Sequence, residues 1–194
     1  YIHVPFCKSK CGYCDFYSLC NKDTDSYVQK IKQQLEIWGG RITRPIDTLY
    51  FGGGTPTMLD DSVADIIKTA KKHFDFQSAE ITVEANPADN LEEFFASVIE
   101  VGANRLSLGV QSAVDSELEL LGRRHNFEAA RQTVKTARRA GFDNISVDLM
   151  LGIPNQTMQS LNATLERFFE IEPDHISAYM LKIEKITPFY EKKE

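Results

Sequence analysis

The chain has 194 residues, of which 42% are hydrophobic, so it can bury one substantial core but is short for two full domains. Its formal net charge is −6 and its basic residues are scattered, which argues against a nucleic-acid partner because phosphate backbones are met by clustered Lys and Arg. No apolar run is long enough to span a bilayer. Four cysteines do not make a disulfide framework for this length, so we expect a reducing, cytoplasmic location.

Short β-type runs alternate with longer helical patterns along the whole chain, in six units. The predicted strands cover residues 1–4, 47–51, 79–84, 105–109, 144–148 and 175–178. The predicted helices cover residues 24–38, 60–74, 91–101, 115–121, 127–140 and 158–171. Strict alternation predicts an α/β fold with a parallel sheet whose strands are buried on both faces. The sheet is either open and doubly wound or a partial (βα)6 TIM-like barrel, and we favour the barrel.

Several predicted helices have recognisable ends. Asn90 followed by Glu93 predicts a capping box at the start of the third helix. Glycines follow three helical patterns at the position where a left-handed C-terminal residue is favoured, namely Gly102, Gly122 and Gly141.

Three cysteines follow the first strand in the spacing C-x-x-x-C-x-x-C: Cys7, Cys11 and Cys14. Three thiolates this close can bind three irons of a [4Fe-4S] cluster, whose full ligation takes four, and would leave one iron open. A zinc site completed by Cys20 or His3 is an alternative, although structural zinc normally has two separated ligand pairs. A disulfide is the third alternative.

The loop after the second strand, Gly52 to Thr57, has three consecutive glycines. Without a Cβ they can present backbone N–H and C=O groups directly to a polar ligand, and a tight turn alone is the competing explanation. The loop lacks the Lys-Ser/Thr pair of a P-loop and the G-x-G-x-x-G spacing of a dinucleotide site.

Polar residues also close the apolar strands three to five: Glu84, Gln111 and Asp148. Ligands collect at the carboxyl ends of parallel strands, so these side chains should share one mouth with the cysteine and glycine loops. A buried carboxylate needs a partner or its pKa rises, and Arg123 is the nearest candidate partner. Each residue taken alone could equally be a rim residue that bonds a loop.

Together these motifs resemble the radical S-adenosylmethionine (SAM) superfamily. The segments Y-I-H-V-P-F-C, V-E-A-N-P, L-G-V-Q-S, L-G-R and V-D-L-M-L-G-I-P are similar to the oxygen-independent coproporphyrinogen III oxidase-like family. Phe16 stands where the oxidases carry a further cysteine, which resembles the haem-chaperone branch of that family. The resemblance also implies that residues 1–194 are one radical SAM core domain and a fragment of a longer chain with a C-terminal domain.

The resemblance implies a cofactor set and its ligands. Cys7, Cys11 and Cys14 would bind a [4Fe-4S] cluster whose fourth iron is chelated by SAM, and the superfamily's enzymes generate a 5′-deoxyadenosyl radical from it. By position, one SAM would contact Tyr1, Gly53 and Glu84. Residues matching those that contact a second SAM in the oxidases are Tyr13, Gly54, Thr55, Gln111, Arg123 and Asp148.

The resemblance leaves two functions. The leading one is a haem chaperone that binds haem and passes it to apo-proteins, and the alternative is the oxidase, which decarboxylates coproporphyrinogen III. It implies haem or a porphyrinogen, haem-accepting apo-proteins and a reductant such as flavodoxin or ferredoxin as partners, and it allows peripheral membrane contact. A zinc-stabilised binding domain is the third hypothesis. Cys20 is expected to be a free thiol and His125 a surface residue at a helix start, rather than a haem ligand.

Overall fold

A computed structural model describes residues 1–20, 23–87 and 90–191, in which six parallel strands form one sheet. The strands are β1 (Ile2–Val4), β2 (Thr48–Gly53), β3 (Glu80–Ala85), β4 (Arg105–Gln111), β5 (Ile145–Leu151) and β6 (His175–Met180). The helices are α1 (Thr24–Gly39), α2 (Ser62–His73), α3 (Glu92–Glu100), α4 (Asp115–Leu121), α5 (Phe127–Ala140), α6 (Met158–Glu170) and α7 (Pro188–Glu191), with a 3₁₀ helix at Pro56–Leu59. No helix in the described ranges is both long and apolar enough to cross a bilayer.

The order of the strands decides between the two predicted closures. Every strand pairs with the next one in sequence, giving β1-β2-β3-β4-β5-β6, whereas a doubly wound sheet reverses its order at a switch point. Helices α1 and α2, α2 and α3, and α3 and α5 pack beside one another, as expected when they cover the same side of the sheet. The predicted partial (βα)6 barrel is therefore confirmed.

The strands have an apolar face against the helices and a more polar face inside the partial barrel. Val83, Leu106 and Val147 are fully buried in the core. Because successive side chains in a strand point to opposite faces, the residue after Val83 and the residue after Val147 face the barrel interior. These two residues are Glu84 and Asp148. The prediction of strands buried on both faces is wrong for β6, whose side chains are mostly exposed in the described part of the chain.

Four strands, β2, β4, β5 and β6, run two or three residues past their predicted carboxyl ends. Backbone pairing continues to Gly53 of β2, Gln111 of β4 and Leu151 of β5, although glycines and polar residues interrupt the apolar pattern there. The sequence pattern therefore placed the strand ends two or three residues early. As a result Asp148 lies within β5 instead of closing it, and the sheet fixes its backbone.

The ends of the helices match the predictions in part. All three predicted glycines are left-handed, with φ of +96° at Gly102, +75° at Gly122 and +110° at Gly141. The predicted capping box of Asn90 and Glu93 is wrong, because the N-cap residue of α3 is Leu91 and no side chain caps it. Leu91 is buried in the core and its carbonyl accepts from the Phe95 N–H at 2.8 Å, which shifts the start of the helix by one residue.

Candidate cofactor site

A cavity of about 520 Å³ opens at the carboxyl ends of the strands. Predicted site residues on its wall are Cys7, Cys11, Tyr13, Cys14, Gly53, Gly54, Thr55, Glu84, Gln111, Arg123 and Asp148. Tyr1 does not line it; the Tyr1 ring lies 6.0 Å from that of Tyr50, and its hydroxyl is 3.1 Å from Nδ1 of His3. The cavity thus brings together every predicted site residue except Tyr1.

The cysteine loop connects β1 to α1 and is closed at its base by the backbone. The Cys7 N–H donates to the Leu19 carbonyl at 3.0 Å, and the Leu19 N–H donates to the Pro5 carbonyl at 2.6 Å. Later segments hold its tip, since the Gly12 N–H donates to the Leu121 carbonyl at 3.2 Å. The loop is therefore anchored at both ends while its thiols face the cavity.

The three thiols of the cysteine loop line one cavity. All four cysteines are free thiols, and Cys20 is exposed, as predicted. No three His, Cys, Asp or Glu side chains in the described residues converge on a point where one metal ion could sit. Three thiols on the wall of one cavity match the number of ligands that a [4Fe-4S] cluster needs when one iron stays open.

A chain of hydrogen bonds links two of these thiols. Thr55 Oγ1 donates to Cys7 Sγ at 3.6 Å, and Asn86 Nδ2 donates to Thr55 Oγ1 at 3.0 Å. The Arg123 guanidinium donates to Asn86 Oδ1 through Nη2 and to Cys11 Sγ, 3.5 Å away, through Nη1. Both thiols thus have a donor, and donors of this kind stabilise a thiolate. Burial raises the pKa of the third thiol, Cys14.

The glycines of the loop after β2 are required by close packing. Gly53 has φ of +108°, and a Cβ there would lie 2.5 Å from the His3 ring. A Cβ on Gly54 would lie 2.6 Å from the Phe6 carbonyl oxygen, and the Gly54 N–H donates to the Val4 carbonyl at 2.7 Å. The glycines let β2 approach β1 and the cysteine loop, so close approach accounts for them more directly than a turn does.

Two carboxylates face the cavity, one from β3 and one from β5. Glu84 accepts from the Tyr50 hydroxyl at 2.7 Å and from the Gly53 N–H at 3.3 Å. Burial raises the pKa of Glu84, and these two hydrogen bonds oppose the rise. Burial, and then the negative charge of Glu84, raise the pKa of Asp148 to about 7.

The expected ion pair between Arg123 and these acids is not formed. The Arg123 guanidinium donates to Asn86, to the Gly109 carbonyl and to Cys11. Its charge lowers the pKa of Asp148 from a distance, but no ion pair joins the two among the described residues. Gly122 ends α4 in a left-handed conformation, and the residue after it, Arg123, donates to Cys11 of the cysteine loop.

Gln111 reaches the cavity through an unusual backbone conformation. Its φ is +76°, which is costly for a residue other than glycine, and the pairing of β4 with β5 shifts register just before it. Its Oε1 accepts from the Tyr179 hydroxyl at 2.6 Å. The next residue, Ser112, donates to buried Glu117 at 2.6 Å, which holds the strained segment from behind.

Sequence reasoning missed the roles of three polar residues and misplaced a fourth. The three residues are Asn86 in the V-E-A-N-P segment, Tyr179 just after the last predicted strand and Glu117 in the first turn of α4. Their roles become clear only from their hydrogen-bond partners, which are distant in sequence. The prediction that His125 is a surface residue is wrong. It is 7% exposed, and its Nε2 lies 3.2 Å from the Val110 carbonyl oxygen.

Comparison with known proteins agrees with this site. A family model described as the radical SAM superfamily matches residues 1–168. The chain belongs to the radical SAM superfamily. The family uses a [4Fe-4S] cluster and SAM, and these are the cofactors that membership implies for this chain.

Two of the most similar sequences belong to one branch of the superfamily. The chain is 38% identical to the haem chaperone HemW of Haemophilus influenzae and 38% identical to that of Bacillus subtilis, over 97% and 98% of its length. It spans about half the length of these relatives, 52% of each. The predicted resemblance to the haem-chaperone branch is confirmed by these matches.

Solved structures show the same fold. Coproporphyrinogen III oxidase (HemN) from Escherichia coli superposes with a TM-score of 0.91 at 29% identity, over the whole of this chain and 46% of that one. Methylornithine synthase (PylB) superposes with a TM-score of 0.72 at 16% identity, over 97% of this chain and 54% of that one, which shows the fold alone.

Proposed function

We propose that this chain provides the cluster- and SAM-binding part of a haem chaperone, which binds haem and transfers it to apo-proteins. The observation that carries the proposal is the 38% identity to HemW proteins over nearly the whole chain. Phe16 adds to it, because it lies on the cavity wall where the oxidases have a cysteine, and a phenylalanine cannot supply a thiol.

In this proposal Cys7, Cys11 and Cys14 hold the cluster, and the residues on the opposite wall hold SAM. When bound and reduced, the cluster supplies the electron that cleaves the sulfonium of SAM. The Thr55 hydroxyl and the Arg123 guanidinium stabilise two of the thiolates through their hydrogen bonds.

The remaining site residues bind and orient SAM in this proposal. For the first SAM, Glu84 offers carboxylate oxygens to its ammonium or ribose hydroxyls, and Gly53, whose N–H donates to Glu84, lies beside it on the cavity wall. Tyr1 stands beside Tyr50, at the outer side of Glu84. A second SAM would contact the other six residues of the set, namely Tyr13, Gly54, Thr55, Gln111, Arg123 and Asp148.

The proposal includes partners that the whole protein would need. The radical SAM cluster needs a reductant, and flavodoxin or ferredoxin are suitable classes. The recipients are haem-accepting apo-proteins.

Metal analysis of the full-length protein tests the cluster. After anaerobic reconstitution we expect about four irons with acid-labile sulfide per chain. Changing Cys7, Cys11 and Cys14 together to serine should abolish this iron, whereas Cys20→Ser, at an exposed thiol, should retain it. Bound zinc without sulfide would overturn the cluster and support a zinc-stabilised domain.

A haem titration separates the chaperone from the oxidase. We expect stoichiometric haem binding by the reconstituted full-length protein and haem transfer to an apo-protein. The oxidase remains the second candidate because the HemN structure matches so closely. Conversion of coproporphyrinogen III with SAM and a reductant, without haem binding, would replace the chaperone by the oxidase.

A further inference from the structure

Two buried polar atoms in the loop between α4 and α5 lack a protein partner among the described residues. They are Nε of Arg123 and Nδ1 of His125. Leaving a buried polar group without a hydrogen bond costs about 1–3 kcal/mol, and native proteins rarely do so. Two such atoms on residues two positions apart therefore point to a shared partner.

The chemistry of the two atoms restricts what this partner is. Arg123 Nε is a donor and accepts nothing. His125 Nε2 faces a carbonyl oxygen, that of Val110, so Nε2 carries the proton. Burial, and then the charge of Arg123, lower the pKa of His125 to about 4, so the ring is neutral and Nδ1 is an acceptor. The partner must accept one hydrogen bond and donate another.

The cavity that both residues line has room for one small molecule, whereas a larger neighbouring cavity of about 480 Å³ is lined by His125 and not by Arg123. Arg123 and His125 both line a cavity of about 20 Å³ together with Cys11, Thr55 and Asn86. One water needs roughly 10–15 Å³ by this measure and two to four polar partners. Water both donates and accepts, and it fits.

We propose that one ordered water occupies this cavity, accepts from the Arg123 Nε–H and donates to His125 Nδ1. His125 is thereby a positioning residue for Arg123. The water site depends only on the geometry of this chain, and its effect on the cluster rests on the proposed function.

The water completes the set of contacts around the guanidinium. Both Nη atoms are engaged, by Asn86, the Gly109 carbonyl and Cys11. The Tyr13 side chain also lies against the guanidinium. Nε has no hydrogen-bond partner within the described residues, and the proposed water would supply it. With Nε anchored, the plane of the guanidinium is fixed and Nη1 stays directed at Cys11 Sγ. Without the anchor, the group rotates and the donor to this thiolate weakens.

Two substitutions separate the hydrogen bonds of His125. His125→Asn places an amide oxygen near the position of Nδ1 and loses the bond to Val110. His125→Gln places an amide nitrogen near Nε2, keeps the bond to Val110 and loses the Nδ1 acceptor. Both leave Arg123 and the cysteine loop unaltered, so they form a matched pair.

The first measurement is a crystal structure of the cofactor-free protein and of both variants. We expect a water within hydrogen-bond distance of Arg123 Nε in the parent protein and in His125→Asn, and none in His125→Gln. A direct bond from Arg123 Nε to His125 Nδ1, or a water that persists in His125→Gln, would overturn the proposal.

The second measurement is the rate at which the reconstituted full-length protein loses iron to a chelator. Loss of an outer hydrogen-bond partner typically weakens a metal site about tenfold or more, so His125→Gln should lose iron about tenfold faster and His125→Asn at the parent rate. Equal acceleration in both variants, with equal loss of thermal stability, would mean that His125 acts only by packing. If the parent protein takes up no cluster, the proposed function fails while the water site is still decided by the crystal structures.

Discussion

Glu117 is a buried carboxylate and Asp148 a partly buried one, both near the mouth of the barrel, and their surroundings differ. Glu117 is 6% exposed and accepts from Ser112 and Ser160, both at 2.6 Å, and from Gln156 at 3.4 Å. Asp148 faces the cavity, carries a hydrogen bond from Ser177 and lies close enough to Glu84 to be repelled by it.

The difference separates a structural acid from a ligand-binding one. A carboxylate whose lone pairs are taken by hydroxyl and amide donors has little left to offer a ligand. One held beside a second carboxylate gains from any ammonium or hydroxyl that enters the cavity. Burial alone therefore does not mark a ligand-binding acid. A shortage of protein hydrogen-bond donors around the carboxylate does.

The largest effect is expected from Glu117→Ala. The substitution leaves the donors of Ser112, Ser160 and Gln156 without their acceptor, so the free energy of unfolding should fall by about 3 kcal/mol. Urea unfolding of the purified protein measures it. The control is Glu119→Ala on the exposed side of the same helix, which should change stability by less than about 0.5 kcal/mol. Equal losses in the two variants would remove the distinction.

Asp148→Asn should act in the opposite direction to Glu117→Ala and stabilise the cofactor-free protein. The pKa of Asp148 is raised from 3.8 to about 7, so the folded chain binds more protons than the unfolded chain between these values, and stability falls as the pH rises through them. Asparagine removes this penalty. The gain should be near zero at pH 4 and about 2 kcal/mol at pH 8, less than the full pKa shift would give, because Asp148 is only partly buried and solvent screens its charge.

Urea unfolding at several pH values tests the Asp148 prediction. Exposed Asp143→Asn, just before β5, is the control and should change stability by less than about 0.5 kcal/mol throughout. A gain for Asp148→Asn that is the same at pH 4 and pH 8 would contradict the raised pKa.

Glu84→Gln tests whether the two cavity acids influence each other. Removing the negative charge of Glu84 should lower the pKa of Asp148, because that charge is the second cause of the rise after burial. The pH dependence of stability should then move to lower pH, by less than the full effect of Asp148→Asn. An unchanged pH dependence would show that the acids titrate independently.

Tyr50→Phe should have the smallest effect. It removes the hydroxyl that donates to Glu84 at 2.7 Å, so the free energy of unfolding should fall by about 1 kcal/mol and the pKa of Glu84 should rise further. Tyr17→Phe, at an exposed ring, is the control. A larger loss than for Glu117→Ala would reverse the order of the two regions.

The periodic parts of the molecule could be predicted from sequence. Six strands, their parallel pairing, the partial barrel and the left-handed glycines follow from local patterns that the chain repeats six times. The strand ends were less predictable, because pairing with a neighbouring strand extends each one through glycines and polar residues. Asp148 shows the consequence, since it lies inside β5 where a strand-closing residue was expected.

The cavity residues were predictable by type, and their partners were not. The cysteine spacing indicated the thiol loop, but the link from Cys7 to Cys11 runs through Asn86 and Arg123, which lie 37 positions apart. His125 follows two arginines, a pattern that predicts a surface residue, but in the structure its ring lies beside the Val110 carbonyl. Such pairings arise from how distant segments pack, which no local pattern records.

The sequential order of the sheet also bears on how the protein is made. Each strand pairs with the strand that precedes it in the chain, so each unit emerging from the ribosome meets an edge that already exists. No strand has to insert later between two others. Growth can therefore proceed by addition of one unit after another in chain order, and the tip of the cysteine loop gains its hydrogen bond to Leu121 only once α4 has been synthesised.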